Sequence, residues 1–276
     1  MIELPEAAVL AGQINRTLTG KRIRKVIAAH TPHKFAWYAG DSQKYNDSLA
    51  GKMIGRAESF GGFLEIRAGD TLIGLGDGAN LRYYQAGERF PDRHQLFVEF
   101  GDGSALAGTI QMYGGFYVFP PGTRISNKYY LIAKEKPSPL AAGFDRAYFE
   151  ALFEEGAAKL SLKAFLATEQ RIPGLGNGVL QDILFDSGMH PRRKAGTLTT
   201  DDRRVLLNSL KSILAEMVAK GGRDTEKDLF GNFGRYKTAL SKNTSGRPCP
   251  VCGTAIVKEA YLGGSVYYCK KCQRID

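Results

Sequence analysis

Apolar residues along this chain keep two different periods, and the change between them falls near the middle. At the start, Ala7, Ala8, Leu10, Ala11 and Ile14 recur at helical spacings, which predicts a helix from Glu6 to about Thr17. Pro5 stands just before it or in its first turn, where a missing N–H costs little. From Lys21 to about Phe119 the apolar runs are short and broken by Gly and Asp, as in Phe63-Leu64-Glu65-Ile66, Leu96-Phe97-Val98-Glu99-Phe100 and Gly115-Phe116-Tyr117-Val118-Phe119. Turn dipeptides recur at Gly69-Asp70 and Asp102-Gly103, so residues 20–122 read as an antiparallel β domain of short strands. Pro120-Pro121-Gly122 and the segment 134–139 punctuate the boundary. Beyond it the period is helical, at Phe149, Leu152 and Phe153, then 160–166, then 179–185. A last helix is predicted from about Thr200, with Thr199 or Thr200 as N-cap and Asp201 and Asp202 suiting the dipole. Val205, Leu206, Leu210, Ile213, Leu214 and Met217 form its apolar face, and Gly221-Gly222 ends it.

Composition narrows the partners more than the fold. Of 276 residues, 38 are basic and 28 acidic, a formal charge of +10, with 43% hydrophobic and 24% charged residues. These proportions describe a folded globular chain. No apolar run approaches the ~20 residues of a membrane helix. The Met1-Ile2-Glu3 start lacks the basic and then apolar layout of a secretory signal, so a cytoplasmic protein is expected. The charge implies an anionic partner, nucleic acid being the commonest, with a generic basic surface as the alternative. The polar, basic stretch from Arg223 to Arg247 reads as a linker or a nucleic-acid-facing loop. The 33 glycines exceed the usual ~7% and suggest close backbone approaches.

All four cysteines lie near the C-terminus, as Cys249-Pro250-Val251-Cys252 and Cys269-Lys270-Lys271-Cys272, with 16 residues between the pairs. Each pair places two sulfurs on one side of a tight turn, and a hairpin between them closes a tetrahedron: the spacing of a structural four-thiolate zinc site. Two disulfides, or redox or iron–sulfur chemistry, are the alternatives. Gly253 and Gly263-Gly264 fit a knuckle and a hairpin turn. Lys258, Lys270, Lys271 and Arg274 surround the site, either against phosphates or as a solvated face. Between two helical stretches, Arg171-Ile172-Pro173-Gly174-Leu175-Gly176-Asn177 exposes backbone N–H groups ahead of a helix, an arrangement that binds oxyanions. A dinucleotide-binding reading fails because no strand precedes the loop. A plain connection between helices remains open.

Together these blocks resemble the formamidopyrimidine-DNA glycosylase and endonuclease VIII family over nearly the whole chain. Ile2-Glu3-Leu4-Pro5-Glu6 is similar to the family's N-terminal Pro-Glu-Leu-Pro-Glu, and Leu75-Gly76 with Leu81-Arg82 to a strand and loop of its β domain. Lys163 through Asn177 to His190-Pro191, including Ile183-Leu184-Phe185, is similar to its helix–two-turn–helix, and Arg247-Pro248-Cys249 to Gln273 to its zinc finger. The resemblance implies an α+β protein. An N-terminal antiparallel β-sandwich domain with a leading helix is expected over 1–125, a helix–two-turn–helix domain over 140–225, and a zinc-finger β-hairpin over 240–276. It implies a monomer, nucleoid-associated if prokaryotic, that grips damaged or abasic double-stranded DNA and flips the lesion out of the stack. Lys163 and Asn177 match residues that hold the flanking phosphates, and Gly174 and Gly176 belong to the loop that supplies backbone donors.

The chemistry departs from the family. Its nucleophile is the secondary amine of an N-terminal proline, which forms a Schiff base with the sugar; Ile2 stands there instead, and methionine aminopeptidases generally require a small second residue. A retained Met1 moves the terminal amine about 3–4 Å along the chain. Gly62 stands for the family's β-domain lysine and Gly264 for its zinc-finger arginine. Asp77 stands near its void-filling methionine, and 111–114 near its second intercalating loop, where Met112 and Tyr113 read as a wedge or as ordinary packing. Glu3 and Glu6 match the family's glutamates, for proton transfer and anchoring of the N-terminus, or serve as a pair complementing the helix dipole. Three readings follow: a glycosylase excising oxidised bases with weakened or absent lyase activity, a non-catalytic lesion- or structure-specific DNA-binding module, and an RNA- or ribosome-associated protein reusing the helical motif.

Overall fold

The computed structural model describes residues 2–76 and 78–275. The expectations for Met1 and Asp77 therefore fall outside the described residues. The chain divides into two compact units, one comprising residues up to Leu131 with Glu226–Phe233, the other Ile132–Thr225 with the residues from Gly234 onward.

In the first unit, α1 (Leu4–Thr17) begins two residues before the apolar period, because Pro5 is accepted in the first turn. Then follow β1 (Ile23–Ala28), β2 (Ala36–Tyr38), α2 (Tyr45–Leu49), β3 (Ile54–Phe60), β4 (Phe63–Ala68) and β5 (Thr71–Gly76), and next β6 (Ala79–Tyr84), β7 (Leu96–Phe100), β8 (Ala105–Ile110) and β9 (Gly114–Phe119). They form a four-stranded sheet, β1-β7-β8-β6, and a five-stranded sheet, β2-β9-β5-β4-β3. One core is shared: Val26, Val98 and Leu106 of the first sheet meet Leu64, Ile73, Leu75 and Val118 of the second, with Leu10 and Ile14 of α1. This is the expected β-sandwich. Its one departure from an antiparallel pattern among the described residues is β2, which pairs parallel to β9 through Trp37 and Gly115. No tight turn joins these strands, so nothing local imposes opposite directions.

Both expected turn dipeptides close hairpins, with Gly69 at φ 60° and Gly103 at φ 81°. Asp102 accepts from Ser104 N at 3.0 Å and Oγ at 2.6 Å, and with Lys21 beside it its carboxyl is lowered to about 2. Within Arg223–Arg247, read as a linker or nucleic-acid-facing loop, Glu226–Phe233 is anchored in the first unit. Leu229 is fully buried in the sandwich core, its N–H donates to Gln13 Oε1 at 3.0 Å, and its carbonyl accepts from Tyr83 N at 2.7 Å. A single leucine in a polar run carries no period, so pattern alone hides it.

The chain continues through α3 (Lys128–Glu135) to α4 (Arg146–Ala151), α5 (Leu162–Ala167), α6 (Leu180–Asp186) and α7 (Thr200–Ala219), then the hairpin β10 (Val257–Tyr261) and β11 (Gly264–Tyr268). The termini of α7 follow the sequence signals. Thr199 Oγ1 accepts from Asp202 N at 3.1 Å while Asp202 Oδ2 accepts from Thr199 N at 3.0 Å. Gly221 and Gly222 take φ 73° and 96°, and Gly222 N returns to Met217 O at 2.8 Å. In the hairpin, Leu262 and Gly263 form the turn with φ 46° and 71°. Gly264, expected in that turn, is instead the first residue of β11. Among the described residues, no helix is long and apolar enough to cross a membrane.

Candidate metal centre and nucleic-acid interface

The sulfur atoms of Cys249, Cys252, Cys269 and Cys272 all lie within 4.8 Å of one another. Cys249 and Cys272 are 3.9 Å apart and Cys252 and Cys269 3.4 Å, well beyond the ~2.05 Å of a disulfide. Sulfurs bound at ~2.3 Å in a tetrahedron are separated by roughly 3.8 Å, so the four thiols are gathered closely enough to take a metal ion with small side-chain adjustments. Backbone geometry holds them there: Gly253, at φ 75°, sends its N–H to Cys249 O at 2.9 Å, and Cys249 N reaches Thr254 O at 2.8 Å. Hydrogen bonds from Thr254 lower the Cys252 thiol to about 6. In the second knuckle Gln273 closes the turn, its Oε1 accepting from Cys269 N at 3.0 Å while its Nε2 donates to Met189 O at 2.9 Å.

The glycine loop lies between α5 and α6, with Gly174 at φ 76°, a conformation that needs glycine. The N–H groups of Gly176 and Asn177 donate to no backbone carbonyl among the described residues. Lys163, on α5 and buried, donates to Tyr261 O and, at 3.4 Å, to Leu262 O in the hairpin turn. Burial lowers its ammonium from the usual lysine value. Asn177 Nδ2 donates to Ser265 O at 2.9 Å, while Asn177 Oδ1 is buried without a partner among the described residues. A Cβ added at Gly264 would lie 3.5 Å from both Asn177 Nδ2 and Lys163 Nζ. The structure thus brings together Lys163, Asn177 and Gly264, far apart in sequence, beside the four-cysteine hairpin. Gln181 completes the join and was not foreseen: its Nε2 donates to Asn177 O at 2.9 Å and its Oε1 accepts from Tyr267 N at 3.1 Å. Its only signal was its place in the first turn of α6, four residues after Asn177. Lys258, Lys270, Lys271 and Arg274 are exposed around the hairpin.

Asp182 is a second unforeseen group. Its two carboxylate oxygens accept from Ala239 N at 3.0 Å and Leu240 N at 2.8 Å, fixing the segment that leads into the four-cysteine hairpin. Burial pushes its carboxyl up to about 6 from an ordinary 3.8, against the hydrogen bonds that favour the anion. A folded pKa above the unfolded one means the folded state binds the extra proton between about pH 4 and 6, so this group's contribution falls as pH rises through that window. Asp182→Asn removes the titration. The stability advantage of the parent over this variant should therefore grow by about 2 kcal/mol between pH 7 and pH 4.5, as read by chemical denaturation of both at each pH. A constant difference would assign the carboxyl an ordinary pKa.

Glu3 and Glu6, in the first unit, form a reciprocal capping pair at the start of α1, with Glu3 N donating to Glu6 Oε2 at 3.3 Å, and both are buried. Ile2 is 8% exposed and packs into the sandwich core. Gly62 falls in the two-residue turn between β3 and β4, after Gly61 at φ 55°. Met112 is 64% exposed and Tyr113 40%, between β8 and β9.

The model of the formamidopyrimidine-DNA glycosylase H2TH domain matches residues 136–228. The formamidopyrimidine-DNA glycosylase of Symbiobacterium thermophilum is 30% identical over 282 residues, covering 100% of this chain and 90% of that protein. That of Geotalea uraniireducens is 29% identical over 279 residues, covering 99% and 100%. Among solved structures, the MutM (Fpg) protein of Thermus thermophilus aligns with a TM-score of 0.81 at 22% identity over 99% of each chain. The Lactococcus lactis Fpg, solved in complex with DNA containing an abasic site, aligns with a TM-score of 0.83 at 22% identity, again over 99% of each. These structural likenesses establish the fold.

Proposed function

The chain belongs to the formamidopyrimidine-DNA glycosylase family, and from that membership we propose that it binds duplex DNA carrying a damaged base or an abasic site and excises oxidised bases with little or no strand cleavage. The observation that carries the binding half is the meeting of Lys163, Asn177 and the glycine loop beside a four-cysteine hairpin. Lys163 has one N–H left over after its two carbonyl bonds, and the second Asn177 amide hydrogen and the N–H groups of Gly176 and Asn177 add further donors for phosphate oxygens. The four thiolates would hold zinc, which when bound fixes the hairpin and, with four protein ligands, leaves no open coordination position for chemistry. A flipped nucleotide exposes its glycosidic carbon, where Glu3 would activate a water for hydrolysis without a covalent intermediate.

A second reading, a lesion-binding module without catalysis, is favoured by Ile2. The residue in the place of the family's nucleophile is packed in a hydrophobic core. Binding and base release on oxidised-base, abasic and intact duplexes, beside a structured RNA, separate the readings. Tight binding to abasic duplex with no base released over hours selects the module, and preference for the RNA removes both. The missing arginine supplies a gain-of-function test. Gly264 lies in a strand with ordinary room for a Cβ, so Gly264→Arg should add one guanidinium–phosphate contact beside Lys163 and Asn177. Affinity for abasic duplex should rise about tenfold and the slope of log K against log salt steepen by about 0.9. No change in either places the DNA elsewhere.

A further inference from the structure

The first unit holds a cavity of about 580 Å³ between β2, the end of β9 and the segment running into α3, within the roughly 300–1,000 Å³ range of small-molecule sites. Its walls are aromatic: Trp37, Tyr113, Tyr117, Phe119 and Tyr129. Trp37 and Tyr113 stand 6.1 Å apart at 51°, and Tyr117 and Phe119 stack at 5.9 Å and 14°. Trp37 and Tyr129 remain 46% and 53% exposed. Tyr117 lies flat across its own strand because position 115 is glycine, where a Cβ would come 2.0 Å from the Tyr117 hydroxyl. The polar lining contains Arg124, Ser126 and Asn127 and no carboxylate. Arg124 is exposed and has no ion-pair partner among the described residues.

Large π faces, edge hydrogen-bonding groups and one unneutralised guanidinium match a single ligand class. A purely apolar partner would leave Arg124 unused, and an acidic peptide would leave the aromatic walls unused. On the reading that this protein handles DNA, we infer that the cavity takes one unstacked nucleobase of a DNA strand, stacked against Trp37 and Tyr129, with its phosphate on Arg124. The sandwich would then read strand continuity by capturing a base that has lost its partner, separately from the phosphate contacts of Lys163 and Asn177.

Trp37 is the only tryptophan in the chain, so its fluorescence reports this cavity alone. Titrating the full chain with a five-nucleotide single strand and with a duplex carrying one bulged base should quench Trp37 saturably, whereas a fully paired duplex should not. Arg124→Ala and Tyr129→Ala, both at exposed side chains, should each weaken the quenching isotherm about tenfold and leave binding of fully paired duplex unchanged. Two results overturn the inference: duplex binding intact with Trp37 unquenched by unpaired bases, or quenching that neither variant weakens. Either would leave the duplex-binding reading standing. Loss of duplex and bulge binding alike would remove both.

Discussion

Cys269→Ser is expected to strip the metal from the hairpin and to lower affinity for abasic duplex by about two orders of magnitude. The hairpin cannot stand on its own packing. The hydrophobic cluster around its cysteines has only Leu240, Cys249, Ile256 and Cys269 as buried members, and its two strands pair over five residues each. A core of that size does not offset the entropy of ordering the segment, which is why small folds of this kind rely on a staple. Structural zinc supplies roughly 10–16 kcal/mol in comparable fingers, and a serine hydroxyl does not replace a thiolate. Cys269 is fully buried, so the variant also leaves a polar group inside. The loss spreads because the hairpin backbone is where Lys163, Asn177 and Gln181 are anchored. With Tyr261 O, Ser265 O and Tyr267 N displaced, the two side chains proposed to bind phosphate lose their preorganisation. Two charge-assisted contacts at about 1.5 kcal/mol each give about a hundredfold. Metal analysis of the purified chain should fall from one zinc per molecule to none, while α4–α7 keep their helical signal. Unchanged metal content and affinity would remove the metal from the structure's account.

How much of this was legible in advance depends on how local each signal is. The cysteine knuckles, the Thr199–Asp202 cap and the Gly221-Gly222 terminus are written within a few residues, and each forms as its spacing implies. The sandwich was legible as a run of short strands, but the parallel edge pairing of β2 was not, since its partner β9 lies far along the chain. The polar joints escaped for the same reason. Gln181, Asp182 and Gln273 each bond backbone groups rather than a recognisable side-chain partner, and a backbone N–H leaves no mark in a sequence. The aromatic cavity combines Trp37 from β2, Tyr113 from a turn and Tyr129 from α3, which no periodicity connects. Motif matching located Lys163 and Asn177. Only the fold explains why both face Gly264, where the absent side chain leaves Lys163 as the one cation of the group.

Borohydride reduction is expected to trap no covalent adduct between this chain and abasic duplex that it nevertheless binds. Imine formation needs a free amine at the sugar carbon, and the family pattern provides it from a proline at the position of Ile2. Here the Ile2 side chain is committed to the sandwich core beside Ala7, Leu10 and Ile14. If Met1 remains, the nitrogen of Ile2 is an amide and no nucleophile, and the terminal amine is displaced by about 3–4 Å, against a tolerance near 0.5 Å for a preorganised site. The intact mass should therefore include Met1, and trapping should lie at least about a thousandfold below a proline-bearing relative, the scale of removing a primary catalytic group. An adduct mapped to Met1 or Ile2 would restore the lyase and overturn this assignment. On the proposed hydrolytic reading, excision is carried by Glu3. Glu3→Gln keeps an acceptor oxygen at the start of α1 but removes the base, so any release of oxidised base should fall about 10²–10⁴-fold while duplex affinity stays level. Release that persists in the Gln variant would move the water-activating group elsewhere, and release absent from both proteins would select the binding module.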